Sequence, residues 1–292
     1  MTSLTRGLVR AASAAADNAT ALGYVAGWRA VRWLPERAAY ALFDRIADEV
    51  YRRNGSGVRR LRTNLDTVAS GQDLTRQAMR SYLRYTCETF RLPAWGREDL
   101  LARTVTIGED AFRAHHAEGR GLVAALPHMG NWDWAGAWAC ATGMPLVTVA
   151  ERLEPARLYD EFVAYRRTLG MQILPLTGGD GTVPRLESWL HDGGLVCLLS
   201  DRDLSRTSVE VRLCGAPARM PRGPASLARR TGAPLVPVTL HYDEERMVIT
   251  FHDAVPVGAD DATTMQHVAD AFSAAIAEHP VDWHMMQRVF VA

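Results

Sequence analysis

The chain has no lysine, and all 33 of its lysine-plus-arginine positions are arginine. This absence excludes enzymes that need a P-loop lysine, a Schiff-base lysine or pyridoxal phosphate. Cysteine is also scarce, with four scattered residues and no C-x-x-C pair, and no H-E-x-x-H motif is present. No metal or organic cofactor is therefore expected. Cys140 and Cys197 lie in apolar segments and are expected to be buried thiols, which fits a reducing cytoplasm.

Long hydrophobic runs are absent as well. No segment reaches 18 uninterrupted apolar residues, so a membrane-spanning helix is not expected. Met1 to Asp17 lacks the strong apolar centre of a signal peptide, so the chain is expected on the cytoplasmic side. With 292 residues, 48% of them hydrophobic, and zero formal net charge, the chain is predicted to be one domain over 1–292 that does not bind nucleic acid.

Short apolar runs alternate with amphipathic segments along most of the chain. This alternation predicts an α/β fold, with a central, mostly parallel sheet flanked by helices on both faces and a catalytic core over 104–252. The predicted strands are 104–107, 122–126, 145–150, 172–176, 195–200, 207–214, 235–241 and 247–251. The predicted helices are 20–33, 36–53, 58–65, 72–92, 109–118, 132–140, 155–169, 182–191, 223–230 and 261–279.

The N-terminal region 18–69 is predicted to be helical, amphipathic and basic. Between Thr20 and Asn64 it carries nine arginines and four acids, with Trp28 and Trp33 among them. Such a surface suits a peripheral contact with anionic lipid. An ordinary amphipathic helix packed on the core, with solvated arginines, is the alternative.

The stretch HMGNWD (128–133) is the strongest candidate for chemistry. Its strand ends at Pro127, and Asn131 is a good helix N-cap, so His128 should lie in a strand-to-helix turn with Asp133 in the first helical turn. A neutral imidazole can take a proton from a hydroxyl near pH 7, and a carboxylate on its other nitrogen fixes the tautomer. His128 as base and Asp133 as its partner are the predicted catalytic pair. A structural histidine beside an apolar helix is the alternative.

Polar residues follow two other predicted strands at the same edge of the sheet. Glu151 follows one strand, and Asp201, Arg202 and Asp203 follow another. Ligands in open α/β sheets bind at the carboxyl ends of strands, so these residues are predicted to line the site. Asp201 is the candidate third catalytic carboxylate, either supporting the His128 pair or positioning an acceptor. A capping role for Asp201 is the alternative.

Glu210 and several arginines complete the predicted binding set. Alternation in TSVEVRL could point Glu210 inward, and a solvent-facing strand position is the alternative. Arg166, Arg219 and Arg222 are candidates for a large anionic donor, because guanidinium groups bind phosphate oxygens in a bidentate way. An internal salt bridge between Arg166 and Glu151, and ordinary helix-flanking charges at 219 and 222, are the alternatives. Trp132, Trp134 and Trp138, with the alanines around them, could line an apolar tunnel.

Rival motifs fail. No G-x-S-x-G elbow is present, so a serine hydrolase is poorly supported. The GGDG at 178–181 lacks the spacing of a dinucleotide-binding loop. The single D-x-D at 201–203 is not completed into a magnesium site.

The H-x-x-x-x-D stretch and its surroundings resemble the glycerolipid-type acyltransferases. Within them the chain resembles the bacterial lipid A biosynthesis (lauroyl/myristoyl) acyltransferases, in particular the actinobacterial branch that acts on phosphatidylinositol mannosides. The likeness covers residues 23 to 290, and the order and spacing of its pieces make it specific. The pieces are 23–36, 58–65, 127–136, 149–155, 198–215, 218–234 and 281–290.

This resemblance implies transfer of a palmitoyl group from the co-substrate palmitoyl-CoA to a mannose 6-hydroxyl of phosphatidylinositol mono- or dimannoside. It also implies a peripheral location at the cytoplasmic face of the plasma membrane. In this interpretation the hydroxyl, deprotonated by His128, attacks the thioester directly. Two alternatives remain open: a lipid A-type enzyme that uses acyl carrier protein, and a non-catalytic lipid-binding protein whose HMGNWD turn is inert.

Overall fold

A computed structural model describes residues 27–151, 156–176, 181–202 and 207–291. The described residues include a helical segment at 27–33 and two short 3-10 segments. The other helices are α1 (Glu36–Arg53), α2 (Ser56–Val68), α3 (Thr75–Arg91), α4 (Arg97–Ala102), α5 (Glu109–Ala117), α6 (Trp132–Ala141), α7 (Ala156–Thr168), α8 (Thr182–His191), α9 (Gly223–Thr231) and α10 (Asp261–Glu278). Its strands are β1 (Thr104–Ile107), β2 (Leu122–Leu126), β3 (Leu146–Ala150), β4 (Gln172–Pro175), β5 (Leu195–Leu199), β6 (Val209–Leu213), β7 (Ala216–Met220), β8 (Leu235–Asp243) and β9 (Arg246–Phe251).

Seven strands form the central sheet in the order β1-β9-β8-β2-β5-β3-β4. Every neighbouring pair in it is parallel except the β8–β9 hairpin. β2 lies at the centre between β5 and β8, and all five of its residues are buried, as expected for a strand covered on both faces. The predicted α/β class with a mostly parallel sheet is confirmed.

Apolar side chains fill both faces of this sheet. One core cluster includes Leu190 of α8 and Phe272 of α10, while another includes Phe112 of α5 and Trp138 of α6. Helices therefore cover both faces, as predicted. A third cluster lies among α1, α2 and α3 and includes the buried Trp28. No helix in the described parts of the chain is both long and apolar enough to cross a bilayer.

Two short elements were not predicted from the sequence. The segment after β6 returns as β7 and pairs with it in a separate antiparallel hairpin, although it contains Pro217. Proline is tolerated there because a two-stranded hairpin consists of edge strands alone. The six-residue helix α4 precedes β1 and is too short to show a clear apolar period.

Candidate active site

The register of the central sheet brings two polar residues together beyond the ends of β2 and β5. Leu126 pairs with Leu199, so His128 and Asp201 each lie two residues past a paired position. The pairing continues past the strands, because the amide of Ser200 donates to the carbonyl of Leu126 at 2.8 Å. The site therefore forms where two adjacent parallel strands present their carboxyl ends, as the sequence predicted.

His128 is hydrogen-bonded to Asp201 rather than to Asp133. Its Nδ1 lies 2.6 Å from Oδ1 of Asp201, and its backbone amide donates to Oδ2 at 2.9 Å. The indole of Trp283 donates to the same Oδ2 at 2.9 Å. Since a carboxylate only accepts hydrogen bonds, Nδ1 carries the proton and Nε2 is left as the basic nitrogen. Within the described ranges, Nε2 has no hydrogen-bond partner.

The environment keeps Asp201 ionised although its side chain is completely buried. Burial alone would raise the pKa of Asp201. The positive charge that His128 can carry, and the hydrogen bonds from His128 and Trp283, outweigh burial and hold that pKa below its ordinary value. A permanent carboxylate behind Nδ1 is the arrangement that stabilises an imidazolium formed during proton transfer.

Asp133 is bound by a different set of residues, which corrects the predicted pairing. The guanidinium of Arg166 donates to both of its oxygens, at 2.6 and 3.2 Å, and the hydroxyl of Tyr85 donates to Oδ2 at 3.2 Å. Burial alone would lower the pKa of Arg166, but the charge of Asp133 outweighs it and raises that pKa. Arg166 therefore does not pair with Glu151, and the Asp133–Arg166 pair joins α6 to α7.

The turn that carries His128 has a backbone shape that few residues allow. Gly130 has φ +56°, and a Cβ there would lie 2.7 Å from the Cβ of Leu240. The next residue, Asn131, is the N-cap of α6, and its side-chain oxygen accepts from the amide of Trp134 at 2.9 Å. The predicted cap is confirmed, and it fixes where the helix begins.

The segment that follows α10 runs alongside this turn. The amide of Gly130 donates to the carbonyl of Asp282 at 2.9 Å, and the amide of His284 donates to the carbonyl of His128 at 2.8 Å. The same segment carries Trp283, the donor to Asp201. The C-terminal stretch therefore completes the site, although the sequence predicted no role for its residues.

His284 is a second histidine close to the turn, and it is neutral. Burial, and then the charge of nearby His128, lower the pKa of His284 to about 3. Its Nε2 lies 2.9 Å from the hydroxyl oxygen of Ser81, which in turn donates to Asp282 at 2.5 Å. Ser81 therefore cannot also donate to His284, so Nε2 of His284 carries the proton. This order of contacts is not that of a serine nucleophile activated by a histidine.

The remaining predicted residues lie at different distances from this centre. Glu151 follows β3 and forms an ion pair with Arg202 at 3.6 Å, so these two lie together beside the strand ends. Asp203 lies outside the described residues. Arg222 is bound by Asp261 at 2.7 Å, at the start of α10.

Glu210 and Arg219 face each other across the β6–β7 hairpin. Glu210 is exposed, so the expected inward orientation is wrong. The guanidinium of Arg219 lies 3.4 Å from the carbonyl of Ser208. Neither contacts His128 or Asp201 within the described parts of the chain, so these side chains do not bring the hairpin to the turn that carries His128.

An apolar cavity lies along α6. Its wall includes Trp132, Ala135, Trp138 and Ala139, with Asp133 and Arg166 also bordering it. The expectation that this helix lines an apolar space is confirmed for these positions. Trp134 is an exception, because it is buried in the core, where its indole donates to Thr104 at 2.8 Å.

Comparison with known proteins shows the family of the chain. The model of the bacterial lipid A biosynthesis acyltransferase family matches residues 13–291. The chain belongs to this family. It is an acyltransferase, and the resemblance inferred from its motifs is confirmed.

Curated relatives match nearly the whole length of this chain. A phosphatidylinositol mannoside acyltransferase of Mycolicibacterium smegmatis is 42% identical over 281 residues, which are 94% of this chain and 92% of the relative. A protein of the same name from Mycobacterium tuberculosis strain H37Rv is 41% identical over 290 residues, 96% of this chain and 91% of the relative.

Proposed function

We propose that this acyltransferase moves a palmitoyl group from palmitoyl-CoA to the mannose 6-hydroxyl of phosphatidylinositol mono- or dimannoside. The names and near-complete coverage of the mycobacterial relatives support this acceptor. The observation that carries the chemistry is the His128–Asp201 pair, in which Nε2 of His128 is unbonded among the described residues. The ring of His128 also lies 5.4 Å from that of Trp132, which lines an apolar cavity.

His128 is the general base in the proposed mechanism. Nε2 takes the proton of the acceptor hydroxyl as its oxygen attacks the thioester carbonyl, and Asp201 stabilises the imidazolium that forms. The tetrahedral intermediate then expels the thiolate, which takes the proton from Nε2. The products are the acylated sugar, now an oxygen ester, and free coenzyme A, and no covalent enzyme intermediate forms.

Asp133 has a supporting role in this proposal. The Asp133–Arg166 pair borders the apolar cavity, where it holds the start of α6 against α7. It fixes the helix that follows the catalytic turn, so that the base and the cavity keep one relative position.

The apolar cavity is the proposed site of the acyl chain. It is lined by α6 and by the apolar side chains of the strands below it. Burying the methylene groups of a fatty chain there stabilises the bound donor by about 0.8 kcal/mol for each group. The depth of this cavity then selects the chain length.

Arg202 is the proposed contact for the phosphates of the donor. Its ion pair with Glu151 is long, at 3.6 Å, and about half of the Glu151 side chain is exposed. Such a pair contributes little to stability, so Arg202 can exchange it for a bidentate contact with a phosphate.

The proposed location is the cytoplasmic face of the plasma membrane, with the N-terminal helices in contact with anionic lipid. Trp33 is 87% exposed, and Leu42 and Ile46 are exposed on α1. Asp44 and Arg45 lie between these two positions, and both are exposed. Exposed apolar side chains in a helical region with nine arginines and four acids are the surface expected of helices lying on an anionic membrane.

The test is acyl transfer from radiolabelled palmitoyl-CoA to purified phosphatidylinositol mannosides, with wild type and His128→Ala compared side by side. The proposal expects acylated lipid from wild type and none from the variant, with equal folding by circular dichroism. Transfer of a palmitoyl group from acyl carrier protein but not from coenzyme A would contradict the proposed donor. Transfer to a lipid A-like acceptor alone would overturn the acceptor, and full activity of His128→Ala would overturn the mechanism.

A further inference from the structure

Helix α3 presents three polar side chains to the region of the catalytic turn. Ser81, Tyr85 and Glu88 are spaced four and three residues apart and therefore share one face of the helix. Each makes a hydrogen bond to the HMGNWD turn or to the C-terminal segment that runs alongside it. Ser81 donates to Asp282, Tyr85 donates to Asp133, and Glu88 accepts from Asn131.

Glu88 is the most deeply placed of the three. Its side chain is completely buried, and its two oxygens accept four hydrogen bonds. Arg84 donates to Oε1 at 2.9 Å and Tyr40 at 3.2 Å. Tyr242 donates to Oε2 at 2.7 Å and Asn131 at 3.2 Å. A buried carboxylate with this many donors is held in one orientation.

The two tyrosines act as donors because of where they lie. Burial, and then the charge of Glu88, raise the pKa of Tyr242 well above its ordinary value and raise that of Tyr40 as well. Both phenols therefore keep their protons. Their hydroxyls, with the guanidinium of Arg84, satisfy most of the carboxylate and leave Oε2 one further acceptor position, which Asn131 fills.

The contact to Asn131 connects this buried charge to the catalytic turn. Asn131 uses its amide oxygen to cap α6 and its amide nitrogen to donate to Glu88. If the side-chain amide of Asn131 rotated by half a turn, its nitrogen would face the backbone nitrogen of Trp134, and the N-cap hydrogen bond would be lost. Glu88 therefore fixes the orientation of Asn131, which is three residues from His128 and two from Asp133.

Tyr242 also links Glu88 to Gly130, the residue before Asn131 in the turn. While its hydroxyl donates to Glu88, its backbone amide donates to Oδ2 of Asp282 at 2.9 Å. The carbonyl of Asp282 accepts from the amide of Gly130. Gly130 and Asn131, two consecutive residues of the turn, are thus tied to one network, while Nε2 of His128 is left free for the substrate.

We propose that Glu88 is a positioning residue for acyl transfer, which acts through Asn131 to hold the His128 turn in its productive geometry. This inference rests on His128 being the base proposed above. A displacement of about 1 Å at a reacting group can lower the rate by about 100-fold, so the loss of this contact should appear in kcat.

Glu88→Gln tests the contact with almost no change in volume. The glutamine oxygen stays with Arg84, which can only donate, so the new NH2 group faces Asn131, and the hydrogen bond is lost. We expect kcat of the folded variant to fall by about 10- to 100-fold, with KM for both substrates unchanged. Asn131→Ser keeps a capping oxygen but lacks the nitrogen that donates to Glu88, so it should show the same loss.

The double variant Glu88→Gln/Asn131→Ser decides whether the two residues act together. If Glu88 acts through Asn131, the double variant is no slower than the slower single variant. If the kcat losses of the two single variants multiply in the double variant, the inference is overturned. It is also overturned if a folded Glu88→Gln has wild-type kcat. If Glu88→Gln does not fold, Asn131→Ser decides alone, and wild-type kcat in that variant overturns the inference.

Asp261→Asn is the matched control. Asp261 is a buried carboxylate bound by Arg222 at 2.7 Å and by Arg229 at 2.8 Å, and it lies at the start of α10, away from the turn. We expect Asp261→Asn to lower thermal stability without changing kcat or KM.

Wild type and His128→Ala run in the same assay separate the two proposals. No transfer by wild type, or transfer by His128→Ala, contradicts the proposed function. Transfer that depends on His128 but not on Glu88 contradicts only the positioning role.

Discussion

Nδ1 of His128 lies 2.6 Å from Oδ1 of Asp201, a residue 73 positions along the chain. Asp133, only five positions from His128, is instead bound by Arg166 at 2.6 Å. The two carboxylates therefore have separable roles. In the proposed mechanism Asp201 orients the base, and Asp133 holds the helix beside it.

Asp201→Asn should abolish most of the activity and leave the fold intact. The amide NH2 would donate to Nδ1, so the proton of His128 would move to Nε2, which could no longer accept one from the substrate. We expect kcat to fall roughly 10³- to 10⁴-fold. Initial rates of acyl transfer measure this loss, and a decrease of less than tenfold would contradict the role of Asp201.

Asp133→Asn should act mainly on stability. It removes the charge that compensates Arg166, and breaking a buried ion pair from one side costs about 3–5 kcal/mol. The free energy of unfolding, measured by urea denaturation, should fall more for this variant than for Asp201→Asn. A kcat at saturating substrate as low as that of Asp201→Asn, with wild-type stability, would assign the catalytic role to Asp133 instead.

His284 should make stability depend on pH. Burial lowers its pKa to about 3 in the folded state, from 6.5 when unfolded. Below pH 6.5 the unfolded chain therefore binds a proton that the folded chain does not, and stability falls as the pH falls from 6.5 toward 3. Between pH 6.5 and pH 5 this group alone should lower the free energy of unfolding by about 1–2 kcal/mol.

The variant His284→Gln isolates that contribution. It cannot bind the proton in the unfolded state, so its free energy of unfolding should fall less over the same pH interval than that of wild type. Denaturant unfolding at pH 5 and pH 6.5 measures the difference. Equal pH dependence in both proteins would contradict a neutral, buried His284.

Membrane association should depend on the exposed apolar residues of the N-terminal helices. Trp33→Ser combined with Leu42→Ser removes two of them, and we expect binding to anionic vesicles to fall by about tenfold or more. Co-sedimentation with phosphatidylglycerol vesicles measures this. Ile107→Ser is the control, because Ile107 is 52% exposed at the end of β1 and should not change binding. Equal losses in both variants would contradict a specific membrane face.

Chain-length selectivity should change when the apolar cavity is filled. Ala139 lines the cavity seven residues after Trp132, which is about 10 Å along the helix axis. Ala139→Leu should lower kcat/KM for palmitoyl-CoA by about 10-fold relative to decanoyl-CoA. Competition between the two donors in one assay gives this ratio directly, and an unchanged ratio would place the acyl chain elsewhere.

Features that depend on neighbouring residues were predictable from the sequence. The buried strand β2, the cap at Asn131 and the helix α6 each follow from a short apolar run, a good capping residue and a second apolar run. The rule that ligands lie at the carboxyl ends of parallel strands also placed Asp201 at the same edge of the sheet as His128. These arguments need no knowledge of which strands are paired.

The choice between Asp133 and Asp201 could not be made in this way. It depends on the β2–β5 register and on Arg166, which comes from a different helix. The role of Glu88 was hidden for a similar reason, because a carboxylate four residues after Arg84 reads as an ordinary surface pair on a helix. Only the packing of α3 against the turn shows that the pair is buried.

The most direct test of this mechanism is the tautomer of His128, observed by ¹⁵N NMR of the histidine-labelled protein near neutral pH. We expect a proton on Nδ1 and a bare Nε2 in wild type and in Asp133→Asn, and a proton on Nε2 in Asp201→Asn. A wild-type proton on Nε2, or a tautomer that changes in Asp133→Asn but not in Asp201→Asn, would contradict it.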